Sequence, residues 1–391
     1  MRLTSRGYGL LVAGVVLLAA GFWFGYPELA TLGASGIVAV LGALIFVAWR
    51  PQLTVERVAD PDRLMRGETS RVTLNIANAS RLFGASLVAR DRIQPGGSVP
   101  VPLVRLRPGR VTSVSYLVPT ARRGVIEVGP LEISRRDPLG LVGVVRSYGG
   151  ATKVWVRPRV HPIAAVPVGL SRSMDGRVDK VPHGSITFAA LREYVIGDDL
   201  RHVHWRTSAR VGELMVREHV DTSLPRVVLL LDDRERAHAT LLPTVDGRGP
   251  GESTFEAVCE AAASVLVAAF REDIHVRIQF VSGMAGAEGH VEIGPLLDLL
   301  AEANLTRDGS VSTAVEALRV RRVGDTLLYL TGPPNEEDLG ALAGLRGAYP
   351  SIIAAVFGPV ESGLAPTAGV LVVGAADGAD FAAAWDGVRA W

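Results

Sequence analysis

The sequence contains a single cysteine, Cys259, and almost no excess of either charge. One cysteine excludes an internal disulfide framework and any metal site built from several thiolates. The chain has 41 Lys and Arg residues against 40 Asp and Glu residues, a formal net charge of +1. It therefore lacks the general electrostatic footprint of a nucleic-acid-binding protein, and we expect no nucleic-acid partner.

A catalytic constellation is also lacking, which argues against an enzyme. Hydrophobic residues make up 48% and charged residues 21% of the 391 residues, so a disordered or fibrous chain is excluded. The length predicts two or three folded units with ample material for a core.

Charge is missing altogether from two long stretches near the N-terminus, residues 8–24 and 29–49. Each is long enough to form a helix across a hydrocarbon core of about 30 Å. A signal peptide fits less well, because a second full-length stretch follows at once with no small-residue cleavage site between the two. A buried soluble hairpin is the other alternative. We predict a two-helix transmembrane hairpin over residues 1–50.

Arginines lie at the two outer ends of this hairpin and not in its connecting turn. Arg2 and Arg6 precede the first stretch, Arg50 and Arg57 follow the second, and the connecting turn has no Lys or Arg. The positive-inside rule then predicts a cell-membrane protein with both termini in the cytoplasm. A cytoplasmic location also suits a lone, reduced cysteine.

Residues 51–160 show the pattern of an all-β, sandwich-like domain. Apolar and polar residues alternate over 71–78 and 112–118, and Pro and Gly punctuate the short segments. Several arginines surround Asp137-Pro138. We interpret this stretch as a tight turn between solvated strand edges, not as an anion site, because no Gly-rich loop opens a helix there.

Residues 223–391 alternate between strand and helix patterns. Predicted strands cover 226–232, 274–281, 326–330, 351–357 and 370–373, and predicted helices cover 252–271, 294–303, 312–319, 379–391 and a segment starting at 335 or 336. Such alternation predicts a doubly wound α/β sheet. Ligands bind such sheets at the carboxyl ends of the strands, and Asp232 lies at one of these ends.

The intervening residues 161–222 form a linker followed by a densely charged segment. Five arginines and six acids lie between Arg192 and Asp221. Such interleaving favours a network of ion pairs and hydrogen bonds. We expect a helix from Leu200 to Arg210, capped by Asp198 or Asp199, with Trp205 buried against the following sheet.

Three interpretations of this charged segment compete. Asp198, Asp199, His202 and His204 are candidate metal ligands, but a spacing of two turns the histidines about 200° apart on a helix. A catalytic acid and base is the second interpretation, although no nucleophile motif accompanies the pair. A docking face between domains or proteins is the interpretation we favour. Its candidate residues are Arg192, Tyr194, Gly197, Asp198, Asp199, Arg201, His204, Trp205, Arg206, Ser208, Arg210, Glu213, Arg217 and Glu218.

The apolar hairpin, the Arg-Asp-Pro-Leu-Gly-Leu stretch at 136–141 and the run from Leu191 to Glu218 resemble the domain of unknown function 58 family. The resemblance covers essentially the whole chain. It implies that the C-terminal α/β domain is von Willebrand factor A-like. As partners it implies a MoxR-type AAA+ ATPase and, in many genomes, a transglutaminase-like membrane protein.

The resemblance also implies where a metal would bind, and here the sequence departs from the pattern. A von Willebrand factor A domain uses Asp-x-Ser-x-Ser after its first strand, a threonine in a second loop and a later aspartate. This chain has Asp232-Asp233-Arg234-Glu235-Arg236, with Ser310 near the threonine position and Thr331-Gly332 in place of the later acid. Arginine charges oppose a bound cation. We expect a degenerate site without a resident cofactor, in which Arg234 or Arg236 neutralises Asp232.

Two functions remain open. The first is a non-enzymatic, membrane-anchored cytoplasmic scaffold or adaptor that docks an ATPase of the MoxR type. The alternative is a divalent-metal-dependent adhesion module or hydrolase with an atypical carboxylate site. Mg²⁺ is the hard cation that such oxygen ligands suit. The candidate ligands for that alternative are Asp232, Asp233, Glu235 and Ser310.

Overall fold

A computed structural model describes most of the chain. The described residues are 2–48, 53–78, 88–102, 111–167, 188–194, 203–219, 226–238, 252–284, 286–289, 292–321, 325–358 and 369–388. They form two apolar N-terminal helices, a β-rich region and a region in which strands alternate with helices. The chain divides into two compact units, Met1–Arg157 and Pro158–Trp391.

The first unit begins with a short strand and a helical hairpin. Strand β1 (Arg2–Leu3) leads into helices α1 (Ser5–Phe24) and α2 (Pro27–Ala48). Thr4 caps α1 by accepting a hydrogen bond from the Gly7 amide at 3.2 Å. Both helices are long and apolar enough to cross a membrane, so the prediction of two such helices is confirmed.

Glycines let the two helices approach closely. Gly7, Gly14 and Gly21 recur every seven residues along the buried side of α1, and Gly33 is buried in α2. A Cβ on Gly33 would lie 2.5 Å from the Leu18 amide nitrogen, a distance that side chains do not tolerate. The packing therefore depends on small residues, as is typical of helix pairs in membranes.

A substitution at this contact tests the packing. We expect Gly33→Leu to destabilise the hairpin by about 1 to 3 kcal/mol or more, because overpacking forces the helices apart. Gly42→Leu is the matched control, since a Cβ there meets nothing within 4 Å. SDS-induced unfolding of the detergent-solubilised protein measures both. Equal midpoints for the two variants would show that the helices do not pack through Gly33.

Nine further strands complete the first unit. They are β2 (Leu53–Asp60), β3 (Arg63–Met65), β4 (Ser70–Asn78), β5 (Val88–Gln94), β6 (Gly97–Val101), β7 (Val111–Val118), β8 (Gly124–Arg136), β9 (Val142–Tyr148) and β10 (Thr152–Arg157). One sheet has three strands in the order β2-β4-β7. The other has the order β1-β9-β8-β10-β3, with β5 joined to β8 and β6 to β5.

The two sheets enclose an apolar core. Val72, Leu74 and Ile76 alternate inward along β4 and are fully buried, as the alternation over 71–78 predicts. Arg57, expected near the membrane, instead forms a buried ion pair with Asp91, with 2.6 Å between Nη2 and Oδ1. Removal of either partner would leave the other as an unpaired buried charge in the β-rich region.

The stretch around Asp137 differs from its predicted, solvated state. It does form a turn between β8 and β9, but Asp137 and Leu141 are only 5% and 6% exposed. Strand β1 pairs with β9, with Leu3 opposite Val142, and so brings the base of the hairpin against this turn. This pairing was not predicted from the sequence, because it joins segments about 140 residues apart.

The second unit contains the remaining elements. Its strands are β11 (Phe188–Glu193), β12 (Met215–His219), β13 (Arg226–Leu231), β14 (His275–Phe280), β15 (Glu288–Gly289), β16 (Thr326–Thr331), β17 (Ser351–Phe357) and β18 (Leu371–Ala375). Its helices are α3 (Trp205–Val211), α4 (Glu252–Arg271), α5 (Gly294–Glu302), α6 (Val311–Arg321), α7 (Glu336–Ala343) and α8 (Gly378–Gly387).

A six-stranded sheet organises this unit in the order β15-β14-β13-β16-β17-β18. All neighbours are parallel except β15, which pairs antiparallel with β14 at one edge. Alternate residues such as Leu230 and Tyr329 pack with α6 and α7. Helices α4 and α8 contact the sheet and each other. Helix α4 is also apolar enough for a membrane, but 78% of its apolar window is buried, and Cys259 lies in its core-facing side.

Candidate functional site

The carboxyl end of β13 holds a buried network centred on Asp232. This carboxylate is fully buried. Its Oδ2 accepts hydrogen bonds from the Tyr329 hydroxyl at 2.6 Å and from Thr331 Oγ1 at 2.9 Å. Tyr329 and Thr331 lie on β16, the neighbouring parallel strand, so the sheet register brings the three groups together.

Arg234 neutralises this carboxylate. Its Nε donates to Asp232 Oδ1 at 2.8 Å and its Nη2 donates to Oδ2 at 2.7 Å, a bidentate arrangement. The same Nη2 also reaches Asp338 Oδ2 at 2.9 Å. Asp338 lies in the first turn of α7, so a helix rather than a strand end supplies this second acid. The guanidinium thus lies between two carboxylates.

Electrostatics favour the ionised forms of both partners. Burial alone would raise the pKa of Asp232, but the hydrogen bonds from Arg234 and Tyr329 outweigh it and hold that pKa below its usual value. Burial likewise opposes the charge of Arg234, yet the bonds to Asp232 and Asp338 raise its pKa. Burial and the Asp232 charge raise the pKa of Tyr329, which therefore remains a neutral donor.

The neighbouring polar groups are directed elsewhere. Asp233 accepts two hydrogen bonds from Ser282, from the amide at 2.9 Å and from Oγ at 2.5 Å. Burial raises the Asp233 pKa. His238 Nε2 donates to the Asp232 carbonyl at 2.6 Å, while Nδ1 lies 3.0 Å from Thr254 Oγ1. Burial lowers the His238 pKa, which favours the neutral ring.

The candidate metal ligands do not converge on one point. Glu235 is exposed and pairs with Arg307 at 3.2 Å, Arg236 donates to the Gly309 carbonyl at 3.0 Å, and Ser310 bonds Ser312 at 2.7 Å. Within the described ranges, no group of three or more His, Cys, Asp or Glu side chains has an arrangement that could hold a metal ion. Asp232 faces Arg234 instead, the alternative that the sequence left open beside Arg236.

The charged segment at 188–219 folds as a β-hairpin with a short helix inserted. Strands β11 and β12 pair antiparallel, with Arg192 opposite Val216. Helix α3 begins at Trp205 because Val203 forms a bridge to Val216 and His204 caps the helix. His204 Nδ1 accepts from the Thr207 amide at 3.3 Å and lies 2.7 Å from its hydroxyl. The predicted helix start at Leu200 with an Asp198 or Asp199 cap is therefore wrong.

His204 and Ser208 hold the helix on the hairpin. Ser208 is buried, and its Oγ accepts from the Met215 amide at 2.8 Å. The His204 ring nitrogen that caps α3 is not free for a metal ion. Gly197, Asp198, Asp199, Arg201 and His202 lie outside the described residues, as do the side chains of Arg192, Arg217 and Glu218.

Trp205 contradicts its prediction, because its side chain is 65% exposed. Arg206, Ala209 and Arg210 are exposed as well, while Ser208 is buried. At 100° per residue, Trp205, Arg206, Ala209 and Arg210 share an arc of about 140°. We call these four residues the α3 face. Glu213 is exposed just beyond it, and Tyr194 is half-buried.

Residues 190–275 match the family described as "Protein of unknown function DUF58". This match spans most of the charged segment together with β13 and α4, and it shows that this part of the chain is similar to that family. The resemblance predicted from the sequence is thereby confirmed. None of the curated proteins matches the chain.

Two solved structures are similar over limited parts of the chain. A CARDB domain of the PF1109 protein from Pyrococcus furiosus, in complex with di-metal ions, shares 17% identity over 27% of this chain and 88% of its own, with a TM-score of 0.21. A β-glucosidase mutant from Listeria innocua, in complex with laminaribiose, shares 15% identity over 27% of this chain, with a TM-score of 0.17. The matched part is only 16% of the glucosidase chain.

Proposed function

We propose that this protein is a membrane-anchored, non-enzymatic docking protein whose α3 face binds a partner protein. The exposed Trp205 beside Arg206 and Arg210 is the observation that carries the proposal. Trp and Arg are the residue types most enriched where binding energy concentrates. Exposed apolar residues Val211 and Leu214 extend the surface, at 57% and 41% exposure.

The closed Asp232 network supports docking over the metal-dependent alternative. Both oxygens of Asp232 already accept hydrogen bonds, and Arg234 supplies the compensating charge. A cation would have to displace that guanidinium. The von Willebrand factor A-like assignment belongs to this proposal, and the parallel sheet order with an antiparallel edge strand supports it.

The anchor is the hairpin of α1 and α2, inserted into the cell membrane with both ends in the cytoplasm. The pairing of β1 with β9 supports this topology, because both ends of the hairpin then lie on the side of the β-rich region. Arg2 and Arg6 at the first helix end agree with a cytoplasmic side.

The partner we propose is a MoxR-type AAA+ ATPase, with a transglutaminase-like membrane protein as a third component. Two arginines on the α3 face favour an acidic surface on the ATPase around a pocket for the indole of Trp205. The predicted role is recruitment to the membrane.

Removing the indole tests the docking proposal. We expect Trp205→Ala to weaken ATPase capture from detergent extracts by about thirtyfold, equivalent to about 2 kcal/mol, as at other aromatic hot spots. Val320→Ala is the matched control, because Val320 is 85% exposed on α6 of the same unit. Unchanged capture by a correctly folded Trp205→Ala protein would refute the role of the α3 face. Metal analysis of the same eluates tests the alternative.

A further inference from the structure

The turn between β8 and β9 contacts the base of the helical hairpin directly. The Thr4 amide donates to the Leu141 carbonyl at 2.9 Å, and Thr4 Oγ1 donates to the Gly140 carbonyl at 2.7 Å. A Cβ on Gly7 would lie 2.2 Å from the Leu141 carbonyl oxygen, so only glycine fits there. We call residues Asp137 to Leu141 the β8–β9 turn.

This turn lies beside the apolar length of α2. Leu141, Val142 and Val144 form one buried cluster with Val40, Ala43 and Val47. Val40 precedes the end of α2 by eight residues, which is about 12 Å at 1.5 Å per residue.

The other side of the same length of α2 is exposed in the part of the chain that the structure describes. Leu41 and Ile45 are 52% and 74% exposed. If the hairpin spans a bilayer, these side chains face lipid. The β8–β9 turn, which joins the cluster through Leu141 and contacts Thr4 at the start of α1, then lies beside this end of the hairpin.

Several backbone amides in and beside the turn are satisfied internally. The Leu139 amide donates to Asp137 Oδ2 at 2.9 Å, and the Val142 amide donates to Asp137 Oδ1 at 2.6 Å. The Gly140 amide donates to the Asp137 carbonyl at 3.0 Å, and Pro138 has no amide hydrogen to satisfy. Irregular backbone survives at membrane depth only when its polar groups are satisfied internally.

The tip of the turn is apolar and uncovered. Leu139 is 63% exposed, although a turn between two strands ordinarily carries polar residues. Two arginines lie closer to the helix end. The guanidinium of Arg135 lies 4.5 Å from the centre of the Phe46 ring, and Arg146 Nη2 lies 3.5 Å from the Ala48 carbonyl. Long basic side chains at this level extend toward phospholipid headgroups.

We propose that the β8–β9 turn inserts Leu139 into the phospholipid bilayer, at the boundary between headgroups and acyl chains. The β-rich region is then fixed to the membrane surface by the turn as well as by the hairpin. This inference rests on the proposed anchoring role, because it requires α1 and α2 to span the bilayer.

Depth-dependent fluorescence quenching tests the insertion. In a full-length Cys259→Ala background, single cysteines replace Leu139, Ile45 or Leu117 and carry an environment-sensitive fluorophore. Leu117 is 56% exposed in the β-rich region. Leu117 lies opposite Arg71, which in turn lies opposite Asp60 on β2. Asp60 is seven residues, or about 23 Å, along β2 from Leu53, the first residue of that strand after the hairpin. The proteins are reconstituted into phosphatidylcholine and phosphatidylglycerol vesicles with nitroxide-labelled lipid, and aqueous iodide serves as the opposing quencher.

We expect the label at 139 to match the label at 45, with blue-shifted emission, strong quenching by lipid nitroxide and protection from iodide. The label at 117 is expected to show the reverse. A label at 139 that behaves like the one at 117, while 45 is lipid-quenched, overturns the insertion and leaves the anchor intact. If the label at 45 is also quenched only by iodide, the spanning hairpin itself is overturned and the inference with it.

Discussion

Arg234→Met is expected to destabilise the second unit by about 3 to 5 kcal/mol, the range observed when one partner of a buried ion pair is removed. Asp232 would remain fully buried, with Tyr329 and Thr331 as its remaining side-chain donors. Asp338 would lose the same guanidinium. Hydrogen–deuterium exchange of β13 and β16 in detergent measures the loss locally, where the first unit does not contribute.

Arg236→Met is the matched control, since Arg236 is exposed and its hydrogen bond is to the Gly309 carbonyl. Surface changes of this kind ordinarily alter stability by no more than about 0.5 kcal/mol. Equal protection of β13 in the two variants would refute the stabilising role of the Asp232–Arg234 pair.

The pH dependence of the Arg234 variant gives an independent readout. In the native protein the pKa of Asp232 is lowered, so its stabilising contribution is complete above the unfolded pKa and is lost only as pH falls through the folded value. Without Arg234, burial dominates and the pKa of Asp232 rises above its unfolded value. The folded variant then binds more protons than its unfolded state, so its free energy of unfolding falls further below that of the native protein as pH rises through the unfolded pKa. The difference between variant and native protein is expected to be smaller in acidic than in alkaline buffer.

Local periodicity explains which parts of the fold were predictable. Helix α4 and strand β17 have the bounds that the sequence predicts, 252–271 and 351–357, because each has an apolar pattern that agrees with its burial. The two-residue strands β1 and β15 were missed, since pairs this short carry no periodicity. Helix α3 was predicted too early because two prominent acids suggested a cap, whereas the bridge of Val203 to Val216 decides where the chain turns helical.

The candidate site likewise contains residues that the sequence predicts and residues that only the folded structure brings together. Asp232 and its neutralisation by an arginine follow from strand order and charge, both visible in the sequence. Asp338 was missed because it lies on a helix rather than at a strand end. Tyr329 had a detectable signal, a hydroxyl within the apolar run that forms the strand beside β13. The exposure of Trp205 has no such signal, since a lone tryptophan is ordinarily expected in a core.

A chain lacking residues 1–52 is expected to remain on membranes as a peripheral protein. Truncation removes β1, α1 and α2, which cover Leu141, Val142 and Val144. Exposing each such side chain costs about 1.5 to 3 kcal/mol, so the uncovered patch favours lipid over water. Alkaline carbonate is expected to extract the truncated protein but not the full chain, because only the full chain retains α1 and α2, whereas the remaining long apolar helix, α4, has 78% of its apolar window buried within its own unit.

Polar substitutions test whether this patch, rather than the rest of the surface, holds the truncated chain on membranes. In the truncated chain, Leu141→Ser with Val144→Thr is expected to release the protein into the soluble fraction, since both side chains belong to the uncovered cluster. Leu141→Ser with Val145→Thr is the matched control, because Val145 is already 63% exposed and lies outside that cluster. Complete solubility of the unsubstituted truncation would contradict the apolar patch, whereas carbonate extraction of the full chain would contradict the spanning hairpin. The two outcomes separate the anchor from the surface that it covers, because solubility of the truncated chain depends on the surface alone and carbonate resistance of the full chain depends on the anchor.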